Sequence, residues 1–100
     1  MSASPPIIHL EMSISRSEFL RCLNHLANET ESFSQLGESE WELPDGSHCA
    51  RIIFHELTPR RLGALTLPHA RVILDLHRMP PHRREDFLHR FRRVFQRAGG

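Results

Sequence analysis

The middle of this chain is dominated by alternating apolar and polar residues, and a segment with helical periodicity lies on each side of it. Between Ser39 and Arg78 apolar side chains recur at nearly every second position, which is the period of a half-buried strand. The flanking segments, which begin near Ser15 and Pro80, repeat apolar residues at helical spacing instead. Together these patterns favour a fold in which helices cover a sheet.

The first strand and the first helix are predicted from adjoining patterns. Residues 7–14 alternate as a strand does. Ser15 and Glu18 then have the spacing of a capping box, while Ile14 and Phe19 have that of a hydrophobic staple, so a helix should begin at Ser15. Its apolar stripe and its expected last residue are Phe19, Leu20, Leu23, Leu26, Ala27 and Asn28.

Four antiparallel strands are expected next, because proline and glycine residues interrupt the alternation at intervals. The expected segments are a first arm from Ser39, the turn Pro44-Asp45-Gly46, a second arm His48 to Leu57, a break at Thr58-Pro59, a strand Leu62 to Leu67, a turn Pro68-His69-Ala70 and a strand Arg71 to Arg78. Pro80-Pro81 then opens a second helix. Its apolar stripe is Phe87, Leu88, Phe91, Val94, Phe95 and Ala98.

The predicted order is β-α-β-β-β-β-α: an α+β fold with a single-layer antiparallel five-stranded sheet and both helices on one face. One domain is expected over residues 7–98, preceded by a flexible tail over residues 1–6. In element order the chain resembles one repeat of the TATA-box-binding-protein fold and, more loosely, the helix-grip domains that cradle small ligands. The resemblance implies a fold and assigns no functional residue, because the sequence motifs of both families are missing here.

Composition narrows the class of protein. With 39% hydrophobic and 25% charged residues, the chain has globular composition. It lacks the run of about 18 apolar residues that a membrane span needs and the pattern of a secretion signal. Two cysteines, Cys22 and Cys49, are too few for a disulfide scaffold and are expected to be reduced. We therefore expect a soluble, cytoplasmic, bacterial-type protein.

Charge is unevenly distributed along the chain. All 13 basic residues are arginine. Residues 1–50 carry two arginines against eight acids, a net charge of −6, while residues 51–100 carry eleven arginines against four acids, a net charge of +7. Such asymmetry fits three readings: an anionic partner, complementarity within the molecule, or docking of two copies.

Chemical motifs are weak, so we assign no catalytic, cofactor or metal residue and favour a non-enzymatic protein. Cys22 and His25 with His48-Cys49 resemble a zinc ligand set, but neighbouring strand residues point to opposite faces. The same objection applies to a His48-Cys49 nucleophile pair, for which no orienting acid is evident. A second cluster, on the last helix, is typical of a solvated or pH-sensitive face and consists of His82, Glu85, Asp86 and His89.

Arginines on the last helix form a candidate surface for anions or nucleic acid, because clustered positive charge releases counterions from phosphates. The candidate residues are Arg83, Arg84, Arg90, Arg93 and Arg97, with Arg92 and Arg60-Arg61 nearby. The helix phenylalanines are all on the apolar stripe, and Glu40 and Glu42 flank Trp41. No aromatic platform for bases is therefore expected, and a solvated helical face is the commoner meaning of such a run.

The sheet face without helices is the favoured interaction surface. Apolar residues are interleaved with charged ones on it, so we expect a partner to cover it. The candidate interface residues are Arg51, Ile53, His55, Leu57, Leu65, Leu67, Ile73, Asp75 and His77. We predict a binding or assembly module that homodimerises through this face. The alternatives are nucleic-acid binding through the last helix and a small-ligand carrier with a pocket between helices and sheet.

Overall fold

Residues 5–27, 33–45 and 47–96, which the computed structural model describes, form five strands and two helices. The elements are β1 (Ile7–Met12), α1 (Arg16–Ala27), β2 (Ser34–Gly37), β3 (Glu40–Asp45), β4 (His48–Leu62), β5 (Leu65–Asp75) and α2 (Pro81–Gln96). The order confirms the predicted β-α-β-β-β-β-α fold. Neither described helix is long and apolar enough to cross a membrane.

The strands form one antiparallel sheet in the order β1-β5-β4-β3-β2, so the first strand pairs with the last. Alternate side chains from four strands point to one face and are buried there. These inward residues are Met12, Trp41, Leu43, Ala50, Ile52, Phe54, Ala70, Val72 and Leu74. Both helices pack on this face, as predicted, and share one apolar core with it.

α1 begins with the predicted capping box. The Glu18 backbone N–H donates to Ser15 Oγ at 3.2 Å, and the Ser15 backbone N–H donates to Glu18 Oε1 at 3.1 Å. These bonds satisfy donors that a helix start otherwise leaves unpaired. Ile14 and Phe19, the predicted staple, are fully buried. Local sequence therefore sets where this helix starts.

The predicted break at Thr58-Pro59 and the predicted turn at Pro68-His69-Ala70 are wrong. β4 and β5 run through both positions as one long hairpin that closes at the pair Leu62↔Leu65, with Gly63 at φ +62° in its turn. The pairing register shifts between Leu57 and Arg60, so residues 58–59 form a bulge opposite Pro68. A bulge tolerates proline because the extra residue needs no ladder hydrogen bond.

Other boundaries also differ from prediction. β1 ends at Met12 rather than at residue 14, and β2 occupies a segment that was expected to have no strand. β2 is a short edge strand with all four residues exposed, so burial imposes no alternation on its sequence. The prediction missed β2 and divided the β4–β5 hairpin into three strands instead of two. The predicted and observed numbers of strands therefore agree. The predictions for Asn28, Gly46, Arg97 and Ala98 lie outside the described residues.

The β4–β5 hairpin extends past the rest of the sheet. β3 pairs with β4 only as far as Ile53, and β1 pairs with β5 only as far as Ala70. Residues 56–69, which we call the arm, therefore form a two-stranded ribbon. This ribbon lies beyond the part of the five-stranded sheet in which β1 and β3 flank the hairpin.

Candidate functional site

The sheet face opposite the helices, which we call the outer face, carries the predicted interface residues. Strand pairing places eight of them there. Those in the body of the sheet alternate with residues buried in the core, and those on the arm continue the same alternation along the hairpin. They are Arg51, Ile53, His55, Leu57, Leu65, Leu67, Ile73 and Asp75. The ninth, His77, follows β5 and lies against Asp75. The structure thus brings the whole set to one face, while their role as an interface stays a prediction.

An apolar stripe runs along β4 and β5 on the outer face. We define it by two paired rows, Ile53 with Ile73 and Leu62 with Leu65, and by the leucines between them, Leu57 and Leu67. The four residues other than Leu62 and Leu65 are half-buried. Leu62 and Leu65, at the end of the arm, are 59% and 63% exposed. Leu62 was not in the predicted set. The sequence analysis placed the start of a strand at Leu62, whereas in the structure β4 ends there and pairs with Leu65 across the turn.

Beside the stripe, Glu11 of β1 gathers three basic side chains. Its Oε1 lies 3.0 Å from His69 Nε2 and 3.8 Å from Arg60 Nη2, and its Oε2 accepts from Arg71 Nη2 at 3.5 Å. Hydrogen bonds from His69 and then from Arg71 hold the pKa of Glu11 below its usual value. β1 is therefore tied to β5 and the arm by charge as well as by its ladder.

On the other side of the stripe, acids of β3 pair with arginines from the second half of the chain. Arg51 Nε lies 3.2 Å from Glu40 Oε2, and Arg78 Nη1 lies 3.8 Å from Glu42 Oε2. The outer face is thus a narrow apolar stripe between two borders of ion pairs. The predicted interface included residues of β4, β5 and His77 only. With the acids of β1 and β3 included, the outer face is less apolar than that set suggests.

A shallow depression of about 170 Å³, including its open mouth, lies at the end of the outer face away from the arm. Its lining residues are Glu42, Cys49, Arg51, Asp75, His77 and Arg78, and we call it the Cys49 depression. The thiol of Cys49 donates to Glu42 Oε2 at 3.4 Å, and Arg78 Nη1 lies 4.0 Å from its Sγ.

Asp75 orients His77 within this depression. Asp75 Oδ1 lies 2.5 Å from His77 Nδ1 and accepts from the His77 backbone N–H at 3.3 Å. Burial alone would raise the pKa of Asp75, but these two bonds and the charges of His77 and Arg51 together lower it. The contact with Asp75 is thus made by Nδ1 of the ring.

The two cysteines lie on opposite sides of the sheet. Cys22 is 5% exposed within the core, and burial, with Arg21 opposing and Glu18 adding, raises the pKa of its thiol. Cys49 lines the outer face. The imagined zinc set of Cys22, His25, His48 and Cys49 is thus divided by the sheet. Among the described residues no three His, Cys, Asp or Glu side chains group as metal ligands.

The predicted arginine surface on α2 is partly used by the protein itself. Arg84 Nε donates to the carbonyl oxygens of Leu76 and Met79, at 3.1 and 2.9 Å, and so holds the turn before α2. The guanidinium of Arg90 lies 5.7 Å from the centre of the Phe87 ring. The remaining predicted positions are a half-buried Arg83, an exposed Arg93 and Arg97, which is outside the described residues.

Several residues of the outer face were not in the predicted interface set. They are Glu11, Glu42, Cys49, Arg60, Leu62 and Arg78. The spacing of Asp75 and His77, two apart on one strand face, is the signal that could have revealed an acid orienting a histidine. The contacts of Glu11 and Glu42 had no comparable signal, because their partners come from distant strands.

No protein-family model matches the chain, and a search of curated proteins found no significant match.

Proposed function

We propose that this protein is a small binding and assembly module that forms a two-fold homodimer through its outer face. The observation that carries the proposal is the apolar stripe, which continues from Ile53 and Ile73 along the arm to the exposed Leu62 and Leu65. Removing water from an apolar surface of this kind stabilises the complex by about 25 cal/mol for each Å² that is buried.

A two-fold axis near the middle of the stripe matches its two ends. Such an axis places the Leu62 and Leu65 row of one copy over the Ile53 and Ile73 row of the other, and the reverse contact forms at the same time. Both rows are apolar cross-strand pairs. The stripe is therefore complementary to itself when a second copy lies antiparallel on it.

The charges of the outer face support a second copy over a charged partner. Glu11, Glu40 and Glu42 are each paired with basic groups of the same chain. The borders of the stripe consequently do not require charges from outside.

The arm and the accessible surface of the molecule also favour a dimer. A two-stranded ribbon is marginally stable alone and gains most from being covered. A standard interface takes about 800 Å² from each partner, which is a small share of the 6396 Å² of accessible surface.

The alternatives have less support. A ligand pocket between helices and sheet needs convergent polar groups, and the buried side chains of the described core are all apolar or cysteine. Nucleic-acid binding by α2 needs free guanidiniums, and Arg84 and Arg90 contact their own chain.

Sedimentation equilibrium of the wild type and of Leu65→Glu tests the dimer. We expect a dimer at micromolar concentration for the wild type and a monomer for the variant, whose new carboxylate would be buried opposite an apolar row. Leu36→Glu is the matched control, because Leu36 is 47% exposed on β2, off the stripe, and it should remain dimeric. Circular dichroism checks that both variants fold.

A wild type that stays monomeric at these concentrations contradicts the proposal. So does dissociation caused equally by both substitutions. Salt-dependent binding of mixed DNA or RNA that Arg93→Ser weakens, in a protein that remains monomeric, would support the nucleic-acid alternative instead.

A further inference from the structure

We propose that the Cys49 depression is a thiol site that accepts anionic low-molecular-weight disulfides and joins them to Cys49 as mixed disulfides. The site lies at the end of the outer face away from the arm and shares Arg51, Asp75 and His77 with the predicted interface, so its test includes a variant designed to be monomeric. The proposal is carried by four kinds of group that line one depression: a thiol, an imidazole, two guanidiniums and two carboxylates.

The imidazole of His77 supplies a base for the thiol. Asp75 Oδ1 lies 2.5 Å from Nδ1 of the ring, so the carboxylate contacts one ring nitrogen and leaves Nε2 for another partner. Cys49 and His77 line the same depression. Thiol, imidazole and orienting carboxylate are the three roles of an activated nucleophile, here assembled from two strands and a turn.

The guanidiniums of Arg51 and Arg78 supply the preference for anions. Arg78 lies 4.0 Å from the sulfur and 3.8 Å from Glu42, a separation longer than a direct hydrogen bond. A carboxylate on an incoming molecule can therefore replace Glu42 beside Arg78. Guanidinium groups suit carboxylates because their planar forks donate two parallel hydrogen bonds.

The reaction is a thiol–disulfide exchange. The Cys49 thiol gives its proton to His77 Nε2, and the resulting thiolate attacks one sulfur of the incoming disulfide. A new S–S bond forms to Cys49 as the S–S bond of the reagent breaks. The departing thiolate takes the proton from His77. Cys49 is oxidised and the reagent is reduced, so that no further oxidant is needed.

Cys22 provides an internal control. It is buried on the other side of the sheet, and its raised pKa keeps it in the unreactive thiol form. Modification of the folded protein should consequently occur at Cys49 and leave Cys22 unmodified.

The test compares the reaction rates of two aromatic disulfides, one carrying two carboxylates and one a neutral dipyridyl compound. We expect Arg78→Gln to slow the anionic reagent several-fold and to leave the neutral reagent nearly unchanged. Peptide mass spectrometry assigns the modified residue, and Cys22→Ser and Cys49→Ser confirm the assignment. A small free thiol measured with both reagents gives the reference ratio.

The pH profile tests the role of His77. The charged and titratable groups that line the depression with the thiol are Glu42 from β3, Arg51 from β4, Asp75 at the end of β5, and His77 and Arg78 after it. We expect the exchange rate at Cys49 to fall off at a lower pH in the wild type than in His77→Gln. At intermediate pH the variant should then react as slowly as a small free thiol while the wild type still reacts. Unchanged anion selectivity in the monomeric Leu65→Glu variant would support the site whatever the fate of the dimer.

Two results would overturn the inference. One is an anionic-to-neutral rate ratio that is the same for the wild type, Arg78→Gln and the free thiol. The other is a pH profile that His77→Gln leaves unchanged. Either would make Cys49 an exposed thiol without a site.

Discussion

Phe19 is the residue at which the helices and the sheet meet. Its ring centre lies 4.7 Å from that of Phe54 on β4, 5.2 Å from that of Trp41 on β3 and 5.8 Å from that of Phe95 on α2. The guanidinium of Arg16 lies over the ring of Trp41, 5.3 Å from the ring centre. One side chain on α1 thus contacts three other elements, and its removal would leave a cavity that none of them can fill alone.

We expect Phe19→Ala to lower the free energy of unfolding by about 3–5 kcal/mol, through lost burial and the cavity left behind. Urea denaturation followed by circular dichroism measures the change. Leu20→Ala on the same helix is the control, because Leu20 is only half-buried and should cost clearly less. Equal losses at the two positions would contradict the central place given to Phe19.

At the scale of elements, the arm depends on its turn. Gly63 is the first of the two residues between Leu62 and Leu65, and its φ of +62° is unfavourable for residues with a Cβ. Glycine at this position is typical of the type II′ hairpin, whose twist matches that of the strands it joins. The bulge at residues 58–59 then lets the same hairpin contain Pro59 and Pro68 without ending.

We expect Gly63→Ala to destabilise the hairpin by about 1–2 kcal/mol, because the side chain opposes the positive φ. Space is not the cause, since a Cβ at Gly63 would meet nothing within 4 Å. Amide hydrogen exchange should show faster exchange confined to residues 56–69. The adjacent Ala64→Ser should leave exchange unchanged, and comparable acceleration in both variants would count against a backbone cause.

At the scale of the whole molecule, acids from the negative half of the chain pair with arginines from the positive half. The acids Glu11, Glu40 and Glu42 come from the negative first half of the chain, and each pairs with arginine from the positive second half. Antiparallel pairing of β1 with β5 and of β3 with β4 brings the two halves side by side. Of the three readings of the charge pattern, complementarity within the molecule has direct structural support.

These pairs make stability depend on pH. Hydrogen bonds from His69 and Arg71 lower the pKa of Glu11, and the bonds and charges around it lower the pKa of Asp75. A lowered carboxyl pKa stabilises the fold above the unfolded-state pKa, near 4, and this stabilisation is lost as pH falls through the folded-state value.

We therefore expect the Tm to fall on acidification below about pH 4.5 and Glu11→Gln to reduce that fall. Glu56→Gln, an exposed carboxylate on the arm, is the control and should follow the wild type. Thermal unfolding by circular dichroism across the acidic range measures all three proteins. Parallel acid curves for the wild type and Glu11→Gln would show that Glu11 is not responsible.

The sequence by itself determined the features that depend on neighbours along the chain. The capping box of Ser15 and Glu18, the apolar faces of both helices and the inward alternation of Ala50, Ile52 and Phe54 were all predicted correctly, because each follows from the period of a helix or a strand. The predicted element order also matches, but in the sheet it does so because the missed β2 offsets the extra strand that was predicted within the β4–β5 hairpin.

Tertiary structure decided what distant segments do to one another. Pro59 and Pro68 look like strand breaks in sequence, but the facing strand turns them into a bulge inside one hairpin. The pairs of Glu11 with Arg71 and of Glu42 with Arg78 depend on strand order and register, which the local pattern leaves open. The Cys49 depression depends on the same register, because its thiol and its carboxylates come from three strands, and its imidazole from the turn after β5, which are brought together only when the sheet forms.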